Sequence, residues 1–168
     1  MMESKLNLNN IVLIGFMGCG KTSIARALSR KLGFYFIDTD ALIESYEGKE
    51  IVKIFAQNSE GYFRDLEKLT YTWMKGSLLN SVVATGGGFV KSVDSMSGLG
   101  TVVFIDLSLE GVKQRLTQYQ KSLRPLADTD LYELYESRLP LYKKFADITI
   151  DADDKTVEQI ANEIKEQL

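Results

Sequence analysis

Residues Gly15-Phe16-Met17-Gly18-Cys19-Gly20-Lys21-Thr22 follow the pattern G-x-x-x-x-G-K-[ST]. The glycines let such a loop turn tightly, so that consecutive backbone N–H groups point inward at phosphate oxygens. A helix opening at Lys21 adds the positive end of its dipole. Lys21 would neutralise β- and γ-phosphates, and the Thr22 hydroxyl would ligate Mg2+. Cys19 inside the loop needs to supply only its backbone N–H, and a lone cysteine has no resolving partner for redox chemistry. Asp38 and Asp40 stand two apart where a strand runs out, so their side chains should leave the same face. One could hold the water shell of Mg2+ while the other accepts or orients the proton of an acceptor hydroxyl. The plainer alternative is a solvated turn with Asp40 capping the next helix. Gly86-Gly87-Gly88 is either an ordinary turn or a stretch of bare backbone that a ligand approaches closely.

Arginines are few: Arg26, Arg30, Arg64, Arg115, Arg124 and Arg138. Arg26 and Arg30 fall one turn apart behind the phosphate loop and read as a solvated face. Arg64 has Glu67 three residues on, which is either a plain helical ion pair or a carboxylate that fixes the guanidinium fork for gripping a substrate carboxylate. Arg124, beside Pro125 in a polar stretch, is either surface or a lid arginine that closes over a transferring phosphoryl group. Arg138 lies on an otherwise apolar helical segment.

The elements that must carry these residues follow from the hydrophobic pattern. The chain has 168 residues, 45% of them hydrophobic, which is enough for one domain to hold without a disulfide or structural metal. One cysteine and no histidine exclude an internal disulfide, the histidine-based hydrolase schemes and nearly every catalytic zinc site. A net charge of −3 argues against nucleic acid or an anionic membrane as partner. The first ten residues lack the apolar centre of a signal peptide, so a cytoplasmic protein is expected, and no long exposed apolar stripe is evident, so a monomer is expected. Buried strands are predicted at Ile11–Ile14, Phe34–Ile37, Val82–Ala84, Thr101–Ile105 and Ala146–Ile150. Between them come a helix from Lys21 to a C-cap at Gly33, a mixed helical stretch from about Ala41 to Met74 with breaks near Gly48 and Gly61, and a helix at Leu109–Leu116. A polar loop over Thr117–Ala127, a helix at Leu131–Phe145 despite Pro140, and a closing amphipathic helix complete the chain. Such alternation implies an α/β fold, a three-layer α/β/α sandwich with a five-stranded parallel sheet. Ligands of such sheets bind beyond the carboxyl ends of the strands, where Gly15, Asp38 and Gly86 all fall.

The order GFMGCGKT, DTD, FRDLE, GGG, RPL and SRLPLY, spread over nearly the whole chain, resembles the shikimate kinases, small P-loop enzymes of the nucleoside monophosphate kinase-like group. The resemblance implies a single P-loop kinase domain over residues 1–168, with a substrate-binding segment at about 40–68 and a lid at about 117–127. It implies ATP and Mg2+ as cofactors and transfer of the γ-phosphoryl group to the 3-hydroxyl of shikimate. On that resemblance Gly18, Cys19, Gly20, Lys21, Thr22 and Ser23 would wrap the ATP phosphates, with Thr22 on the metal and Asp38 behind it. Asp40 would contact the substrate hydroxyls as base or orienting group. Arg64 and Arg138 would hold the substrate carboxylate, and Gly86, Gly87 and Gly88 would meet the ring through backbone. Arg124 would come down on ATP and Arg115 would lie against adenine. The chain departs from the family pattern in Cys19, in a lid reading Arg-Pro-Leu-Ala, and in Asp151-Ala-Asp-Asp-Lys155, where many members carry an adenine-contacting arginine. The nearest rival is another kinase of the same fold acting on gluconate or a nucleotide. A nucleotide-binding module without catalysis is more remote, because Lys21, Thr22, Asp38 and Asp40 are all retained.

Overall fold

The computed structural model describes residues 10–119 and 131–168, with 117–119 described in backbone course alone. Five parallel strands form one sheet in the order β2-β3-β1-β4-β5: β1 Ile11–Ile14, β2 Tyr35–Asp38, β3 Ser81–Ala84, β4 Thr101–Asp106 and β5 Ile148–Asp151. Register follows Leu13 opposite Ala84 and Val103, with Asp38 beside Ala84 and Asp106 beside Asp151. The three inner strands are the continuous apolar runs, and Ile11 to Ile14, Val82 to Ala84 and Val102 to Ile105 are all buried, as strands covered by helices on both faces must be.

The helices are α1 Lys21–Leu32, α2 Thr39–Glu47, α3 Ile51–Gln57, α4 Glu60–Ser77, α5 Leu109–Tyr119, α6 Leu131–Phe145 and α7 Val157–Gln167. One 3-10 turn, Phe89–Lys91, follows the triple glycine. Helix α1 buries Ile24, Ala25 and Leu28 and closes at Gly33, whose N–H returns to the Ser29 carbonyl. Helix α7 opens on a capping box between Thr156 and Gln159 and buries Ile160, Ala161 and Ile164.

Several boundaries differ from the pattern reading, each for a local reason. Strand β2 starts at Tyr35 because the Phe34 N–H is spent on the Ser29 carbonyl that closes α1. It is an edge strand, with Tyr35 79% exposed, and not a strand buried on both faces. Strand β5 starts at Ile148 because the Ala146 N–H still caps α6 on the Tyr142 carbonyl. The break expected near Gly61 falls at Asn58 and Ser59: the Ser59 hydroxyl accepts the Tyr62 N–H and begins α4, which leaves Gly61 inside the first turn. Helix α5 continues through Tyr119, so residues 117–119 are helical where a polar loop was predicted, and Arg124 with the rest of that segment lies outside the described residues. Leu69 and Trp73, one turn apart on α4, are left half exposed, an apolar pair the pattern did not single out. Among the described residues no helix is long and apolar enough to cross a membrane.

At the end of the sheet away from the glycine loop, Asn10 ties three segments together. Its buried amide donates to the Leu78 and Leu99 carbonyls at 2.9 and 3.1 Å, and its side-chain oxygen accepts the Ser81 N–H at 3.1 Å. Asn10→Ala therefore strands three backbone groups, each buried unpaired group costing about 1–3 kcal/mol. The expected loss is about 3 kcal/mol in urea unfolding with an unchanged m-value; a loss below about 0.5 kcal/mol would show that water replaces the amide.

Candidate active site

The glycine loop joins β1 to α1. Gly15 passes so close to β4 that a Cβ there would stand 2.7 Å from the Ile105 carbonyl oxygen. Gly20 caps α1 in the left-handed region at φ +94°, with no side-chain acceptor on the helix N–H groups and no acidic residue in the first turn. The positive end of α1 is thus left for an anion from outside the chain. Lys21 is 7% exposed, and its ammonium bonds the Gly15 and Phe16 carbonyls at 2.6 and 2.9 Å. Cys19 does more than the pattern reading gave it. Its N–H donates to the Phe16 carbonyl, its carbonyl accepts Arg115 at 3.0 Å, and its buried sulfur packs against Gly15. The second arm of Arg115 reaches the Ala152 carbonyl at 3.2 Å, so this side chain ties the loop to the segment after β5. Lys155 in that segment pairs with Glu163 of α7 at 2.7 Å. Thr22 and Ser23 are exposed on the first turn, and Arg26 and Arg30 form the solvated face expected of them, with Arg26 over the Phe36 ring.

At the end of β2, Asp38 is the N-cap of α2. One oxygen accepts the Asp40 and Ala41 N–H groups, and the other accepts the Thr22 hydroxyl at 2.9 Å. The cap is therefore Asp38, where the plainer alternative had named Asp40. Asp40 already belongs to the helix, so strand alternation is not what sets its direction. A hydroxyl and a carboxylate oxygen side by side are hard donors of the kind Mg2+ takes when phosphate and water oxygens supply the rest. Among the described residues no group of three or more metal-binding His, Cys, Asp or Glu side chains forms.

The triple glycine after β3 faces three charged groups in turn. A Cβ on Gly86 would lie 2.5 Å from Asp40 Oδ1; on Gly87, 3.2 Å from the Met17 nitrogen and 3.5 Å from Arg138 Nη1; on Gly88, 2.5 Å from Arg64 Nη1. All three lie outside the positive-φ glycines, so their glycines answer a need for space and not for a special backbone angle. The chain's own charged side chains approach these glycines closely, a crowding that an ordinary turn would not require. Thr39, between the two aspartates, is fully buried and accepts the Gly86 N–H at 3.0 Å, which locks the α2 corner to this floor.

Two guanidinium groups converge here. Arg64 bonds Glu67 at 2.6 Å and Glu60 at 2.9 Å, and Glu67, 1% exposed, also accepts the Ser92 hydroxyl. Burial works against the Arg64 charge, but Glu67 and Glu60 outweigh it and hold the group above its ordinary pKa. Arg138 is 2% exposed and stands over the Phe16 ring at 5.6 Å. Burial, together with the positive charge of Arg64, pushes its pKa down, and among the described residues its Nε has no hydrogen-bond partner. A buried donor without an acceptor is costly, and a ligand carboxylate would supply the acceptor. Tyr142 completes the corner: its hydroxyl donates to the Gly87 carbonyl at 2.5 Å and is hydrogen-bonded by Arg138. Burial raises the Tyr142 pKa, so it stays a neutral phenol.

Sequence reasoning thus named Lys21, Thr22, Asp38, Asp40, Arg64, Arg138 and the glycines, and all gather at one end of the sheet. It missed Thr39, Glu60, Ser92 and Tyr142. Helical spacing could have found Glu60 four residues before Arg64 and Tyr142 four after Arg138; Thr39 and Ser92 carry no such signal.

The chain matches a family model described as "Shikimate kinase" over residues 17–168. It is 42% identical over 163 residues to a shikimate kinase of Persephonella marina, covering 94% of this chain and 97% of that one. It is 39% identical over 166 residues to one from Caldanaerobacter subterraneus subsp. tengcongensis, covering 94% of each. Among solved structures, the shikimate kinase from Acinetobacter baumannii in complex with shikimate superposes with a TM-score of 0.82 at 32% identity, covering 95% of this chain and 92% of that one.

Tyr142→Phe removes the acceptor of Arg138 and the donor to Gly87 together. It should cost about 1–3 kcal/mol in urea unfolding; an unchanged midpoint would mean that the Gly87 carbonyl finds another donor.

Proposed function

The chain belongs to the shikimate kinase family, and from that premise we propose that it transfers the γ-phosphoryl group of ATP to the 3-hydroxyl of shikimate. It is an ATP-dependent kinase of the P-loop class. The observation that carries the assignment of roles is the glycine floor, which sets one carboxylate, Asp40, and two guanidinium groups, Arg64 and Arg138, around a common backbone next to the phosphate loop. An acceptor with a carboxylate at one end and hydroxyls at the other suits that spacing of charge. Gly86, Gly87 and Gly88 let its ring approach backbone where any side chain would intrude.

Phosphoryl transfer asks the protein chiefly for positioning and charge stabilisation. Backbone N–H groups of Gly18 to Ser23 and the open end of α1 bind phosphate oxygens. Lys21 exchanges its loop carbonyls for the β- and γ-phosphates and balances charge that grows on the leaving oxygen. Thr22 and Asp38 would hold Mg2+, which supplies charge neutralisation across the phosphates when bound. Asp40 orients the acceptor hydroxyl and takes its proton as the oxygen–phosphorus bond forms. Arg64 and Arg138 fix the far end of the acceptor, so that the hydroxyl is held in line with the γ-phosphorus. Arg115 forms one wall beside the adenine, with backbone after Asp151 as the other contact because Lys155 is engaged with Glu163. Arg124 is assigned to the transferring group on the family resemblance. The segment at about 40–68 serves as the acceptor side, and that at about 117–127 as the lid. A net charge of −3 supports an enzyme of small molecules and not one of nucleic acid or anionic membranes.

A coupled ADP-release assay with shikimate, quinate, gluconate, AMP and CMP should give turnover with shikimate alone; turnover with gluconate or a nucleotide would overturn the roles of Arg64 and Arg138. Asp40→Asn should bind both substrates and lose about 10²–10⁴-fold in kcat, the range of general-base contributions; near wild-type turnover would remove Asp40 from proton transfer. Gly88→Ala drives a methyl group into the Arg64 guanidinium, the far end of a flexible side chain. The protein should keep its melting temperature within a few degrees, the shift that about 1 kcal/mol makes in a domain of this size. Its KM for shikimate should rise about tenfold or more, equal to losing about 1.4 kcal/mol of binding, with the ATP KM in place. An unchanged shikimate KM would show that Arg64 is not a substrate ligand.

A further inference from the structure

We propose that Glu60 is an internal competitor for the substrate carboxylate, sitting on Arg64 until the substrate displaces it. The inference rests on the reading that Arg64 holds that carboxylate. A guanidinium group offers two forks, Nε with Nη2 and Nη1 with Nη2, and one further N–H on Nη1. In Arg64 all three are taken. Glu60 Oε1 spans the first fork, at 3.2 Å from Nε and 2.9 Å from Nη2. Glu67 holds Nη1 at 2.6 Å. The Gly88 backbone stands before the second fork, where even a Cβ would come within 2.5 Å of Nη1 and 2.8 Å of Nη2. An incoming carboxylate that grips Arg64 must therefore replace one of two carboxylates or move the backbone.

The two carboxylates differ in how readily they leave. Glu67 has a side chain 1% exposed and holds Ser92 as well as Arg64, so releasing it would strand a buried charge. The Glu60 side chain is 54% exposed at the start of α4, so water can solvate it once it lets go. Lys91, on the turn after the triple glycine, already stands 3.9 Å from the same Glu60 oxygen and offers a second partner. Glu60 is held below its ordinary pKa first by the bond from Arg64, against a smaller effect of burial, with Lys91 and Arg138 adding to it. Glu67 keeps Arg64 in place, and Glu60 keeps its charge satisfied while no substrate is bound.

The test compares Glu60→Gln with Asp65→Asn by steady-state kinetics on the whole protein. Asp65 neighbours Arg64 in sequence but pairs outward with Lys68, so it reports the through-space effect of losing one negative charge. Glu60→Gln should lower the shikimate KM about three- to fivefold, the scale of an exposed ion pair that no longer has to be broken. It should leave the ATP KM in place, while Asp65→Asn changes the shikimate KM less than about twofold. A raised or unchanged shikimate KM in Glu60→Gln, or an equal drop in Asp65→Asn, overturns the proposal. Arg64→Lys separates the two layers of the argument. If it leaves the shikimate KM unchanged, the carboxylate reading of Arg64 fails and the competitor goes with it. If it raises that KM while Glu60→Gln lowers nothing, only the competitor fails.

Discussion

Two guanidinium groups within reach of one another, Arg138 buried and Arg64 mostly so, are the constraint around which this site is built. Removing a charge from water is expensive unless it is paired and hydrogen-bonded. The chain meets that requirement unevenly. Arg64 is given two carboxylates, one of them buried and further bonded by Ser92. Arg138 is given an aromatic face, a phenol and, among the described residues, no partner for its Nε. The imbalance leaves one buried cationic donor that a ligand carboxylate could satisfy. A family that acts on a carboxylate-bearing alcohol is chemically consistent with that gap.

The glycine floor follows from the same constraint. Asp40, Arg138 and Arg64 can crowd against β3 only because residues 86 to 88 present no side chains to them. Thr39 and Tyr142 then fix that floor from opposite sides, one by accepting the Gly86 N–H and the other by donating to the Gly87 carbonyl. The phosphate loop abuts it, since the Met17 nitrogen is the nearest neighbour of the Gly87 position. The proposed acceptor and phosphate sites would therefore share one backbone floor, which is what an in-line transfer between two bound molecules needs.

Cys19 and Arg115 tie the nucleotide side to the same frame. Arg115 bridges the loop carbonyl of Cys19 and the carbonyl of Ala152, so the segment after β5 is held to the loop by a guanidinium and not by chain connectivity. Asp153 secures the same segment to the start of α5 through Ser108. The side proposed for adenine would thus be a wall of backbone and one arginine, since Lys155 after β5 pairs with Glu163 of α7.

Much of this was legible in the residues. Continuous apolar runs gave the three inner strands, because strands buried on both faces need apolar side chains at every position. The glycine loop gave the phosphate site, because its chemistry is local in sequence. The edge strands were misplaced by one or two residues at Phe34 and Ala146, where a single N–H was claimed by the preceding helix instead of the ladder. Asp38 and Asp40 were singled out on a mistaken geometry, since capping ended the strand between them. Residue type and spacing read Arg26 as a solvated face but left Arg64 and Arg138 open, and only the family resemblance singled those two out. Tertiary packing made the first a surface group over Phe36, the second a carboxylate-bound fork and the third a buried group whose Nε has no acceptor among the described residues. A charge takes its role from the water it loses and the partners it gains, and both are set by segments distant along the chain.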